Sequence, residues 1–168
     1  MVAGELTARG FDTLLFDLLT EEEARDRANV FDISLLAGRV VDAIEWAAAQ
    51  EVLADMPVGL FGASTGAAAA LVAASRAPSE VDAVVSRGGR PDLAGPDLHG
   101  VRAPTLLIVG GADHGVIGLN EQAYGQLTCT AEFRIVPGAT HLFEEPGALE
   151  AVVDLAADWF GDHLARDP

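Results

Sequence analysis

Hydrophobic positions along the chain fall into two alternating patterns. Short apolar runs rich in Val, Ile, Leu and Phe are separated by longer stretches in which apolar residues return every three or four positions. Such alternation predicts an α/β fold, a mostly parallel sheet with helices on both faces. Strands are expected at Thr13–Leu18, Val58–Phe61, Ala83–Ser86, Thr105–Val109 and Glu132–Val136, each leading into Gly, Asp, Thr or Pro turn chemistry. Ile33, Leu36, Val40, Ile44 and Ala47 form one stripe of a helix capped near Asp32 or Ser34. Leu149, Val152, Val153, Ala156, Trp159 and Phe160 form another, with Pro146 and the glutamates before it suited to a helix start. The two aromatics of that second stripe are expected in the core rather than against a cofactor. The acidic run Glu21–Glu23 suits a solvated helix start.

At 168 residues, with no repeat, low-complexity tract or linker, residues 1–168 are expected to form a single domain with one core. Every apolar run is shorter than the roughly 18 to 20 residues of a membrane span. The first residues lack the apolar segment of a secretory signal, so a soluble, cytoplasmic protein is expected. The formal charge of −16, with all ten basic residues arginine, argues against a grip on nucleic-acid phosphates. The lone Cys129 has no disulfide partner and no metal-ligand spacing, and reads as a small buried apolar residue.

The chemistry-bearing segment is Gly62-Ala63-Ser64-Thr65-Gly66, a G-x-S-x-G between an apolar run and the alanine-rich stretch Ala67–Ser75. A serine on a tight strand-to-helix turn projects its Oγ above the sheet. The flanking glycines are expected to remove Cβ atoms where the two backbones approach. The turn also makes the Thr65 amide a candidate oxyanion donor. Because a serine hydroxyl is weakly nucleophilic, it needs an imidazole base held by a carboxylate. In chain order these are Asp113, 49 residues after Ser64 and following the strand at Thr105, and His141, a further 28 residues on, following the strand at Glu132. Asp92 is the runner-up acid. His114 beside the acid, His99 in a loop and His163 at the end of the last helix are less well placed. Arg87 and Arg90 are candidates to bind an anionic substrate group, weighed against an ordinary pair satisfying local carboxylates. Only 47 residues separate Gly66 from Asp113. That leaves no room for a lid and implies a small, open site suited to short acyl groups.

Through LLFDLLT, GLFGASTGAAAAL, VVSRGGRPDLAGP, APTLLIVGGAD and VPGATHLFEEP, the chain resembles the dienelactone-hydrolase-like branch of the α/β-hydrolases along nearly its whole length. The resemblance implies an α/β-hydrolase fold, minimal and without a lid domain. It places nucleophile, acid and base on Ser64, Asp113 and His141, and implies hydrolysis of small esters, lactones or thioesters through an acyl-enzyme, without metal or organic cofactor. Two departures stand out. Position 64 is serine where dienelactone hydrolases carry cysteine, which shifts the expectation toward general esterase chemistry. Related chains also carry, before the equivalent of Val2, a strand ending in an HG-type loop that supplies the second oxyanion donor, so an N-terminally truncated form of the fold is expected. Without that strand, Thr13–Leu18 either pairs directly with Val58–Phe61 or leaves a gap beside it. Relatives of this kind are at times joined to a phosphoribosyltransferase domain, and none is expected here. The competing function is a non-catalytic module that binds a ligand or partner through the same pocket. Acyl transfer to an acceptor other than water shares the acyl-enzyme and is left open, as is a homo-oligomer.

Overall fold

The computed structural model describes residues 2–165. Four strands, β1 (Gly59–Ala63), β2 (Ala83–Arg87), β3 (Thr105–Gly110) and β4 (Ala131–Val136), form one sheet in the order β1-β2-β3-β4, and every pairing is parallel. Consecutive strands are neighbours, so each connection crosses over the sheet. Residue Ala63 lies opposite Arg87, and Ile108 lies opposite both Arg87 and Arg134. The C-terminal ends of the strands therefore form one edge. The side chains of β3 are buried throughout, as a central parallel strand covered on both faces requires.

The helices are α1 (Val2–Ala8), α2 (Arg27–Val30), α3 (Ile33–Ala48), α4 (Thr65–Arg76), α5 (His114–Tyr124) and α6 (Ala148–Leu164), with 3-10 segments at Glu23–Arg25 and Pro91–Gly100. One core joins α3 and α4 to Val84 and to Leu98 and Val101. The other packs α6 and Leu6 of α1 against Ala83, Val85, Leu106 and Ile108. The sheet is thus covered on both faces, with α4 stacked between the sheet and α3. This is why α4 is nearly pure alanine, leucine and valine: Ala67 through Ala74 are all buried. No described helix is long and apolar enough to cross a membrane.

The expected stripes are the ones buried. Leu36, Val40 and Ile44 of α3 face the core, and the Asp32 carboxylate caps that helix by accepting from the Leu35 amide at 2.9 Å. Val152, Val153, Ala156, Trp159 and Phe160 of α6 are likewise inside, and α6 begins two residues past Pro146. Glu23 starts its 3-10 turn in a reciprocal capping box. Its carboxylate takes the Thr20 amide while the Thr20 hydroxyl takes the Glu23 amide.

One expected strand is absent. Thr13–Leu18 is irregular chain outside the sheet, with Leu14, Leu15 and Phe16 exposed, Leu15 at 83%. An apolar run becomes a strand only where a neighbour offers free amides and carbonyls, and no described strand lies beside it. Direct pairing with β1 is therefore not the arrangement found, and β1 is an edge strand.

The cap at Asp32 provides a local check. Asp32→Ala should destabilise the protein by about 1 kcal/mol, read as a lower urea midpoint with an unchanged slope.

Candidate active site

Ser64 stands between the last residue of β1 and the first of α4, with φ 52° and ψ −124°. An L-residue adopts this conformation only when the surrounding structure imposes it. The cause is the close approach of α4 to the end of β1. A Cβ on Gly62 would run into the Gly66 carbonyl and the Cα of Ala67. Position 66, in contrast, has open space around it and a helical backbone, so the expectation that both glycines relieve a clash holds for Gly62 alone. The Thr65 N–H, first in the helix, has no acceptor among the described residues. It is the amide that follows the strained serine, and it is free to donate.

Asp113 and His141 are brought together from the ends of neighbouring strands. Asp113 occupies the N-cap position of α5, yet its carboxylate makes no capping bond. Instead its Oδ2 lies 2.7 Å from His141 Nδ1, with the Asp113 side chain 13% exposed and that of His141 41% exposed. Backbone bonds from Gly111 N to Val136 O and from Ala112 N to Ala139 O lock the two loops together. Gly110 allows the contact, since a Cβ there would meet the carbonyls of Ala139 and Thr140. The contact occupies Nδ1 and leaves Nε2 as the free imidazole nitrogen. No hydrogen bond to the Ser64 hydroxyl is present among the described residues. Of the three sequence-predicted residues, the structure joins Asp113 and His141 directly.

Glu145 steadies the base loop from its far side by accepting from the Thr140 amide at 3.1 Å. Hydrogen bonds from Thr140 and from its own backbone hold the Glu145 carboxyl below its ordinary range. Phe143, 1% exposed, closes the loop with φ 57°, a left-handed conformation that costs a non-glycine residue about 1–3 kcal/mol. Phe143 did not stand out in the sequence, and Glu145 did so only as one of the glutamates before Pro146. The tight Thr140–Phe143 turn arises from packing rather than from turn-forming residues.

The remaining candidates fall elsewhere. Asp92 is engaged by Arg90, which donates from Nε and Nη2 to its two carboxylate oxygens at 2.8 Å each. The runner-up acid is therefore occupied, and the Arg90 guanidinium is satisfied by a local carboxylate. Arg87 is paired with no carboxylate among the described residues, and its Nη1 donates to the Leu142 carbonyl instead. His99 lies within the Pro91–Gly100 segment, not in an irregular loop, and His114 is the exposed first residue of α5. His163 packs edge-on to Trp159, with ring centroids 4.2 Å apart. Cys129 is partly buried beside Thr105, and burial pushes its thiol upward, away from the reactive thiolate.

A parallel sheet with α4 behind a strained serine turn, and with Asp113 and His141 on the loops after β3 and β4, matches the α/β-hydrolase fold. The chain belongs to the dienelactone hydrolase family, whose model matches residues 2–162. It is similar to a crystal structure of dienelactone hydrolase from Anabaena variabilis, at TM-score 0.93 and 53% identity over 98% of this chain and 78% of that one. The esterase domain of a Rhodothermus marinus protein shares the fold at TM-score 0.76 and 21% identity, over 98% of this chain and 79% of that one. A Mycobacterium tuberculosis protein called "Putative phosphoribosyl transferase Rv0571c" is 63% identical over 97% of this chain, which spans only 37% of that relative's length.

Two glycine substitutions separate the steric readings. Gly62→Ala should prevent the native turn, giving insoluble or unfolded protein, whereas Gly66→Ala should fold and gain up to about 1 kcal/mol from the lower entropy of its unfolded chain. Thermal melts of both variants check this. The depressed Glu145 carboxyl makes a pH prediction. Its contact contributes above the ordinary carboxylate range and is lost as pH falls through the lowered native value. The Thr140 amide shift should therefore titrate below the range of a free glutamate, and Glu145→Gln should abolish that titration.

Proposed function

We propose that this domain is a serine hydrolase of small carboxylic esters, lactones or thioesters, acting through an acyl-enzyme on Ser64. The observation that carries the reading is the 2.7 Å His141–Asp113 contact, made by an aspartate that forgoes capping its own helix, beside a serine held at φ 52°. Asp113 fixes the imidazole with Nε2 free and stabilises its protonated form. His141 takes the hydroxyl proton as Ser64 Oγ attacks the carbonyl carbon, and the Thr65 N–H donates to the oxygen as it becomes anionic. The imidazolium then protonates the leaving group, and water, activated by the same base, releases the acid. Surface exposure of His141 suits a small, open, water-accessible site and short acyl groups.

Membership of a hydrolase family and the likeness to the Anabaena variabilis enzyme support this reaction class. The phosphoribosyl transferase name belongs to a relative mostly outside the matched region, and we assign that activity to no residue of this chain.

Intact-protein mass spectrometry after exposure to a fluorophosphonate checks the reading. One adduct should form, and Ser64→Ala should abolish it. His141→Ala and Asp113→Asn should slow it by roughly 10²- to 10⁴-fold. A folded protein that forms no adduct would instead mark a module that binds without catalysis.

A further inference from the structure

At the end of β2 the chain runs Arg87-Gly88-Gly89-Arg90, and its two guanidinium groups meet different surroundings. Arg90 is held by Asp92 in a two-point contact. Arg87 lies on the other face of the sheet, following Ala83 and Val85, which pack toward α6. There it is half-buried with no ion-pair partner among the described residues, and its Nε is sealed off without an acceptor. Its contacts are with the two residues that follow His141. Nη1 donates to the Leu142 carbonyl at 3.4 Å, and the guanidinium carbon lies 5.5 Å from the centre of the Phe143 ring. Gly88 reaches the base itself. A Cβ at that position would stand 3.1 Å from the His141 carbonyl and 3.2 Å from the Phe143 ring.

The base loop needs such an anchor. Leu142 is 56% exposed and supplies no burial, so the loop is fastened by Phe143, whose φ of 57° relaxes unless its neighbours oppose it. A desolvated guanidinium against an aromatic ring, donating to the adjacent carbonyl, opposes that relaxation from both sides of the peptide. The same tetrapeptide continues to the nucleophile: the Gly89 carbonyl accepts from the buried Asn120 amide at 3.0 Å, and the Arg90 N–H donates to the Ser64 carbonyl at 3.0 Å.

We propose that Arg87 is a positioning residue for His141, holding the Leu142 carbonyl and the Phe143 ring so that the imidazole stays on Asp113 and within reach of Ser64. The inference rests on the triad reading above and deepens it. It assigns Arg87 a role in geometry rather than in binding a substrate anion.

The test compares the unmodified protein with Arg87→Ala, Arg87→Lys and Arg87→Met, using para-nitrophenyl acetate as a neutral substrate and its succinate half-ester as an anionic one. Arg87→Ala should lower kcat by roughly 10- to 100-fold, the scale of a small misplacement of a catalytic group, with KM nearly unchanged and both substrates equally affected. Arg87→Lys, which can still donate to Leu142 and face the ring, should recover much of the loss. Arg87→Met keeps the packing and serves where the alanine variant does not fold; it should show the same kcat defect. Proton NMR gives a readout independent of turnover. The downfield Nδ1 proton of the His141–Asp113 pair, assigned by its absence in Asp113→Asn, should broaden or vanish in Arg87→Met. An unchanged kcat with an unchanged proton would overturn the proposal, as would a KM rise confined to the anionic ester. If the unmodified protein neither turns over ester nor takes up a fluorophosphonate, the triad reading fails, and the proton signal alone decides whether Arg87 positions the imidazole.

Discussion

The candidate site depends on one steric constraint, the approach of α4 to the end of β1 at Gly62. Nothing larger than hydrogen fits between that residue and the backbone of Gly66 and Ala67. The chain must therefore reverse within a single residue, and Ser64 takes up the strained φ and ψ that result. Burial of Ala67 through Ala74 between α3 and the sheet holds α4 in place and offsets that strain. From this follow the place of Ser64 at the strand end, where it is partly buried, and the free N–H of Thr65. Asp113 and His141 reach the same edge because the sheet is wholly parallel. Every strand delivers its following loop to the C-terminal side, so neighbouring strands supply neighbouring groups.

That logic explains which features were legible in the sequence. Strands β1 through β4 were readable because their apolar runs end in glycine, aspartate or proline turns, and each has a partner in the sheet. Helices α3 and α6 were readable from their stripes, and the elbow from its glycines and alanines. Ser64, Asp113 and His141 share one edge because chain order along a parallel sheet becomes spatial order. The failures have a common cause. The run Thr13–Leu18 has the composition of a buried strand, but composition does not supply the neighbour that makes one. Gly66 looked sterically obligatory by symmetry with Gly62, yet strand and helix meet on one side of the turn only. Phe143 and Gly88 were invisible because their roles arise from contacts between segments 55 residues apart in the chain, such as Arg87 with Leu142, whereas the Glu145 contact is local and depends on the path of the Thr140–Phe143 turn.

Likeness to other proteins sharpens the reaction class without extending to the whole of any relative. The chain covers most of the Anabaena variabilis dienelactone hydrolase but a little over a third of the Mycobacterium tuberculosis protein it matches at 63% identity. The matched region carries the serine turn and the Asp113–His141 pair, so a function for this chain is argued from those residues. The serine bears on substrate as well. A cysteine in the turn would not depend on full deprotonation by its base to the same degree, whereas a serine is inert without one. Holding His141 in place is therefore more stringent here.

The edge position of β1 makes this stringency structural. Ser64 follows a strand that, among the described residues, is paired on one side only, with β2, and three of the four residues before Ala63 are only partly buried. Movement of β1 relative to the rest of the sheet would separate Ser64 from His141, which is anchored through β3 and β4. Beyond the β1–β2 ladder, the contacts opposing that movement run through the end of β2. The Arg90 amide bonds the Ser64 carbonyl, the Gly88 amide bonds the Ile108 carbonyl of β3, and Arg87 reaches across to Leu142 and Phe143. A short segment placed between nucleophile and base can fix their separation only if it is fastened at both ends, and this one is. On the proposed mechanism Arg87 acts through the distance it maintains, so an arginine on this segment can matter to catalysis without touching substrate.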